Sequence, residues 1–311
     1  MSGFPGSGSR RPRRPDPTDG GPSGTPLPKK RGRRRPARES LLQAAEEWCK
    51  KASALHRQGR PGDAIPLFDK ALELDPQEVR AWVGTGLCLD ALGRTEEAVE
   101  CYAEARAINP EDAEVWCLEG VALERLGRYE EALRYLDKAL QLAPRLTNAW
   151  VDEGLARKAL GRYEEALRCY DQALKLDPRS SEVWYDKGNC LCGQCRFEEA
   201  LLCFNEALVL DPRDARAWNN KGVCLGGLGR HDEAVSCYNK ALEIDPSYTV
   251  AWRAKAVTQE RLGRIPDAVQ SYRQLIVVAL DQDAASIERI KRHVRELESA
   301  QAVLQIPDCR L

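Results

Sequence analysis

AEVWCLEGVALERLGRYEEALRYLDKALQLAPRL occupies residues 113–146, and TNAWVDEGLARKALGRYEEALRCYDQALKLDPRS follows at 147–180. The two segments align over 34 residues without a gap, and the register extends in both directions. Every tryptophan obeys it: Trp48, Trp82, Trp116, Trp150, Trp184, Trp218 and Trp252 each lie 34 residues after the last. A fixed period of roughly 20–50 residues marks a solenoid or propeller and governs every other reading of such a chain.

With Ala45 as the first position, seven units run 45–78, 79–112, 113–146, 147–180, 181–214, 215–248 and 249–282. Position 4 is the Trp. Position 8 is small: Ala52, Gly86, Gly120, Gly154, Gly188, Gly222 and Ala256. Position 20 is Ala throughout, from Ala64 to Ala268, and position 24 is large: Phe68, Tyr102, Leu136, Tyr170, Phe204, Tyr238 and Tyr272. Position 27 is Ala from Ala71 to Ala241 and then Leu275. Position 32 is Pro from Pro76 to Pro246 and then Leu280. Position 15 is Gly in six units, always with Arg after it. Glycine at that place ends a helix by taking the left-handed conformation that a Cβ disfavours. Proline cannot continue a helix. Each unit therefore reads as two helices and two turns, and a lone pair of helices buries its apolar faces only by stacking on neighbours.

The order of Trp, small residue, Ala, large packing residue, Ala and Pro resembles the tetratricopeptide repeat, over about three quarters of the chain. The resemblance implies an all-α fold, a right-handed α-solenoid of seven helix hairpins, with each Trp wedged between the helices of its own unit and the next. The seventh unit, lacking Gly, Ala and Pro at positions 8, 27 and 32, is expected to let its second helix run on. Residues 283–305 read as a C-terminal capping helix, with Ile287, Ile290, Val294, Leu297 and Gln301 in a stripe between charges.

The formal net charge is −1, but residues 1–40 hold eleven Lys/Arg against three Asp/Glu, a net +8, which leaves −9 for the rest. This Pro-, Gly- and Arg-rich leader has too few large apolar side chains to offset its ordering entropy and is expected to be disordered. Its clusters Arg10–Arg14 and Lys29–Arg35 suit a nuclear-localisation-like or nucleic-acid-contacting segment; the plainer alternative is a solvated charged leader. No stretch approaches the ~18 apolar residues of a membrane span, so no membrane partner is expected. No apolar segment follows the N-terminal arginines as in a secretory signal. A cytoplasmic protein is expected, or a nuclear one in a eukaryote, with its twelve cysteines as reduced thiols.

Cys190, Cys192, Cys195 and Cys203 suggest a zinc or iron–sulfur site. Register argues otherwise. Cys190 shares position 10 with Cys88 and Cys224, and Cys203 shares position 23 with Cys101, Cys169 and Cys237, as small core fillers do. His56, His231 and His293 are scattered, so no nucleophile–base pair assembles. The acidic pairs that include Glu97, Glu131, Glu165, Glu199 and Glu233 complement the dipoles of the second helices. With 73 residues outside the 238-residue array, no room remains for a catalytic domain. Neither an enzyme nor a cofactor is expected.

The resemblance places a concave groove along first-helix positions 2, 5, 6, 9, 12 and 13. Upstream these are apolar: Val83, Leu87, Leu118, Val121, Val151 and Leu155. Downstream they are polar: Asp152, Tyr185, Asp186, Asn189, Asn219, Asn220 and Arg253. Asn189 and Asn220 match the paired asparagines with which chaperone-binding members of the family hold a peptide backbone, since an amide both donates and accepts. The cations those members use to grip a C-terminal carboxylate are replaced by Tyr185, Val250 and Ala254. The expected function is a non-catalytic scaffold or adaptor that binds a peptide or helix of another protein. Nucleic-acid association through the leader and metal binding through Cys190–Cys203 are the alternatives.

Overall fold

The computed structural model describes residues 35–279 and 284–304, all of its regular structure helical. The first helices of the seven units are α1 (Arg35–Arg57), α3 (Val79–Ala91), α5 (Ala113–Arg125), α7 (Thr147–Ala159), α9 (Ser181–Gly193), α11 (Ala215–Gly227) and α13 (Thr249–Arg261). The second helices are α2 (Pro61–Leu74), α4 (Thr95–Ile108), α6 (Tyr129–Leu142), α8 (Tyr163–Leu176), α10 (Phe197–Leu210), α12 (His231–Ile244) and α14 (Ile265–Val278), with α15 (Ala284–Leu304) closing the chain. The fold is the expected all-α solenoid of helix hairpins.

The α1 helix begins at Arg35, so residues 35–40 are helical and the expected leader boundary at residue 40 moves back. Pro36 in the first turn is no obstacle, because an N–H there has no intrahelical partner to lose. Arg10–Arg14 and Lys29–Arg34 lie outside the described residues.

Each turn within a unit is built alike. The position-15 glycines stand at φ between 72° and 76°. Their N–H groups donate three residues back, as in Gly127 to Glu124 at 2.8 Å, and the following Arg N–H donates five back, as in Arg128 to Leu123 at 2.9 Å. This pair of bonds closes the open carbonyls of the first helix. The arginine side chain then turns onto the second helix: Arg94, Arg128, Arg196 and Arg230 reach Glu97, Glu131, Glu199 and Glu233 at 2.6–2.7 Å. The glutamates read from sequence as dipole partners are thus also ion-pair partners. Glu165 departs from this and faces Arg157 instead.

Between helices, position 8 meets position 24. A Cβ on Gly154 would lie 2.6 Å from the Tyr170 ring, and one on Gly188 or Gly222 would meet Phe204 or Tyr238 at 2.8 or 2.6 Å. The small residue is a condition of that contact. Buried alanines, with Cys88, Cys101, Cys169, Cys190, Cys203, Cys224 and Cys237, fill the remaining space.

One expectation is extended and one is corrected. The tryptophans pack against the next unit as expected, Trp116 in a cluster with Leu136, Ala139 and Ala149 and Trp218 in one with Ala241, Leu242 and Ala251, and they also reach backward. Six of them, from Trp82 to Trp252, send the indole N–H back to the carbonyl of the position-32 residue of the preceding unit, at 2.8–3.1 Å. The indole therefore ties its unit to the one before. And α14 does not run on: it stops at Val278, in the register of the other second helices, without a proline at position 32. Ala279 leaves the helix while its N–H still bonds the Leu275 carbonyl, as the residue at this place does in every unit. Helix α15 then covers the last unit. Val294 is buried, and Ile290 and Leu297 pack with it on Tyr272, Leu275 and Ala279.

Candidate functional site

Successive first helices approach one another at α1 with α3, α5 with α7, α7 with α9, α9 with α11 and α11 with α13, while no comparable packing joins successive second helices among the described residues. The stack is therefore tighter along the first helices, and they line its inner side. All thirteen expected groove residues lie on them. Val83, Leu87, Leu118, Val121, Val151, Asp152, Leu155, Tyr185, Asp186, Asn189 and Asn220 are partly buried, and Arg253 is exposed.

Asn219 is the exception. It is 2% exposed and belongs behind the groove wall, not on it. Its position is half core: Cys117, in the same register, is also buried, so only a bulky residue such as Tyr185 extends into the open. Leu118, Val121, Val151 and Tyr185 likewise pack partly onto the core. The apolar upstream wall is in part the rim of the core.

The asparagines form a network. Asn219 Nδ2 donates to Asn220 Oδ1 at 2.9 Å, and Asn220 Nδ2 donates to Asn189 Oδ1 at 2.6 Å and to the Tyr185 hydroxyl at 3.3 Å. Arg216 stacks over the Tyr185 ring at 4.7 Å. These bonds fix the amide orientations and leave the Asn189 N–H groups without a partner inside the network. Asn219 Oδ1 is buried without a donor.

One unit upstream, a pocket of about 300 Å³ opens between α7 and α9, with Val151 and Leu155 on one wall and Asp152, Asp177, Glu182 and Asp186 around it. Asp152 receives a bond from the Cys117 thiol at 3.5 Å. Burial pushes the Asp152 carboxyl up to about 6, and burial also raises Asp186. Behind them on α5, burial and then the Asp152 charge push Glu124 up to about 7. Glu124, Glu182 and Asp177 were not picked out from sequence. Glu124 and Glu182 occupy positions 12 and 2, which belong to the groove set, so the register could have found them. Asp177 is position 31, in the turn between units, where Asp recurs as Asp75, Asp211 and Asp245 but which lies outside the groove set.

The cysteine cluster does not converge. Cys190 and Cys203 are in the core, Cys190 directed at the Tyr163 carbonyl 3.6 Å away. Cys192 pairs with the Cys224 thiol, and Cys195 is exposed in the turn after α9. Among the described residues no three His, Cys, Asp or Glu side chains are grouped to hold a metal ion. The metal-binding alternative at Cys190–Cys203 therefore has no grouped ligand set among the described residues: Cys190 and Cys203 share one packed core and Cys195 is exposed. No helix among the described residues is long and apolar enough to cross a membrane.

Family profiles described as tetratricopeptide repeat match residues 49–112, 113–146, 158–222, 215–248 and 237–270. No curated protein sequence matches the chain. Among solved structures, a repeat protein of Parabacteroides merdae aligns with a TM-score of 0.63 at 16% identity, over 81% of this chain and 99% of that one. Pseudomonas aeruginosa pilF aligns with a TM-score of 0.60 at 20% identity, over 69% of this chain and 96% of that one. YrrB, described as having an unusual peptide-binding site, aligns with a TM-score of 0.50 at 24% identity, over 60% and 97%. At such identities the likeness concerns the fold.

Proposed function

Because this chain belongs to the tetratricopeptide repeat family, we propose that it is a non-catalytic scaffold that holds a peptide or helix of another protein along its first helices. One observation carries the reading: twelve of the thirteen expected residues, from Val83 to Arg253, keep incompletely buried side chains on the first helices. The upstream residues offer apolar area, and burying such area drives association. The downstream amides offer register. Asn189 N–H groups, held in place by the Asn220 bond, can donate to the carbonyls of an extended chain whatever its side chains. The peptide-binding site named for YrrB supports the same use of a related fold.

The test is Asn189→Ala combined with Asn220→Ala, read as co-purification of partners from native lysate with the melting temperature measured in parallel. Partner recovery is expected to fall several-fold. Removing Asn220 also strands the Asn219 amide, so a stability loss of about 1–3 kcal/mol is expected beside it. Asn189→Ala alone keeps Asn220 bonded to Asn219 and Tyr185 and separates the two effects. Unchanged recovery with both variants rejects the groove.

A further inference from the structure

We propose that Cys192 on α9 and Cys224 on α11 are an oxidisable thiol pair, which hydrogen peroxide converts to a disulfide across the border between units five and six. The inference goes beyond the scaffold reading and does not rest on it. Cys192 is position 12 of its unit, and Cys224 is position 10 of the next, 32 residues on. The two side chains pack in one cluster, and the Cys224 thiol donates a hydrogen bond to the Cys192 sulfur. Both are free thiols. Two thiols already in contact need little backbone movement to bridge.

A second observation is independent of these two thiols. The same register positions also meet at other borders. At the first border they are His56 and Cys88, again 32 residues apart, and the Cys88 sulfur lies 3.3 Å from His56 Nδ1. At the fourth border they are Lys158 and Cys190, and the Lys158 charge acts on that thiol. Helices α9 and α11 are also joined directly, by the 2.6 Å bond from Asn220 to Asn189, about one turn before Cys192. The remaining borders set Asp90 against Ala122, Glu124 against Ala156 and Gly226 against Thr258. Only between units five and six does cysteine stand at both places.

The two thiols are not equivalent, and the difference gives the oxidation an order. Cys192 is partly exposed, whereas Cys224 is buried. The hydrogen bond from Cys224 holds the Cys192 thiol down at about 7, while burial pushes core thiols such as Cys190 and Cys203 up to about 11. A thiolate is the nucleophile, and accessible thiols with thiolate character beside a second cysteine are the ones oxidised first. The Cys192 thiolate attacks one oxygen of hydrogen peroxide. The O–O bond breaks, Cys192 becomes a sulfenic acid, and the departing hydroxide takes up the proton that the Cys192 thiol released, giving water. The Cys224 sulfur then attacks the Cys192 sulfur. The S–O bond breaks, and hydroxide leaves with the Cys224 proton as a second water. Two thiols lose two electrons in all, and one peroxide is reduced to two waters.

The test treats the reduced full chain with hydrogen peroxide, blocks the remaining thiols by alkylation under denaturing conditions, and maps the disulfides by peptide mass spectrometry. A cross-linked peptide joining Cys192 to Cys224 is expected as the main product, and dithiothreitol is expected to remove it. Cys195→Ser is expected to leave its yield unchanged, because the exposed Cys195 is not the resolving thiol. Cys224→Ala places at position 10 the residue that units three and four carry as Ala122 and Ala156, so it keeps the packing. With that variant the Cys192 sulfenic acid has no partner, and its labelling by dimedone is expected to rise several-fold over the intact chain. A main cross-link from Cys192 to Cys195, products confined to Cys195, or dimedone labelling of Cys192 that is the same with and without Cys224 overturns the pair. Circular dichroism of each variant before oxidation shows that the array is folded when the thiols are compared.

Discussion

At single positions, repeat register turns small departures into statements about energy. Cys195 is position 15 of its unit, the place of the turn glycine, and at φ 59° it is the one non-glycine residue with positive φ among the described residues. A side chain with a Cβ is disfavoured there by about 1–2 kcal/mol. Cys195→Gly is therefore expected to stabilise the protein by about 1 kcal/mol in urea denaturation, with the extra freedom of glycine in the unfolded chain offsetting part of the gain. A loss of stability would mean that the exposed thiol makes a contact worth more than the strain. The converse holds at Gly154, where a methyl meets the Tyr170 ring. Gly154→Ala is expected to cost about 1–3 kcal/mol despite the better helix propensity of alanine. The glycine rule was legible in sequence. That Cys195 belongs to it, and not to a metal cluster, was equally legible once positions were counted.

For the helices, number and order followed from the period, but their joints did not. Glycine and proline marked the ends of each helix, and the ends fall there. Which way an indole N–H points is a matter of three-dimensional proximity that a one-dimensional pattern leaves open, so the bond from each Trp to the carbonyl before it appeared only in the structure. Trp150→Phe keeps most of the ring and removes the bond to Pro144, and is expected to cost about 1 kcal/mol or somewhat more. The end of α14 teaches a related point. Without its proline it still stops in register at Val278, with Ala279 in a non-helical conformation. Helix α15 instead folds back, and its hold depends on Val294. Val294→Asp is expected to raise amide exchange in α13, α14 and α15 well before the rest of the array, as nearest-neighbour stacking requires. Uniformly faster exchange along all units would contradict that.

Over the whole array, the acidic character of the inner side sets a pH dependence. Asp152 and Glu124 are raised to about 6 and 7, and burial also raises Glu153 in spite of its ion pair with Arg157, against ordinary values near 4. The native chain then holds more protons than the unfolded chain between about pH 4 and pH 7. Stability must fall as pH rises through that window and level off above it. The melting temperature is expected to be lower at pH 7.5 than at pH 5, and less so in the Asp152→Asn variant; a rise would show these carboxyls to be better solvated than the fold suggests. The groove as a set of positions was visible in the sequence. Its division into a buried network at Asn219 and an unpaired acidic pocket was not, because the same register position is core in one unit and rim in the next, depending on side-chain size.

The backward tie from indole to carbonyl spans the border between units at a constant separation of six residues. Every border is thus an interchangeable joint. Excising one whole internal cassette, for instance residues 113–146, would bring Trp150 against Pro110 with all other joints untouched, and a shorter chain with one fewer hairpin would still assemble. Removing any other number of residues would misalign the joint. Length in such a molecule is open to change by recombination between its own copies, in steps of one cassette only.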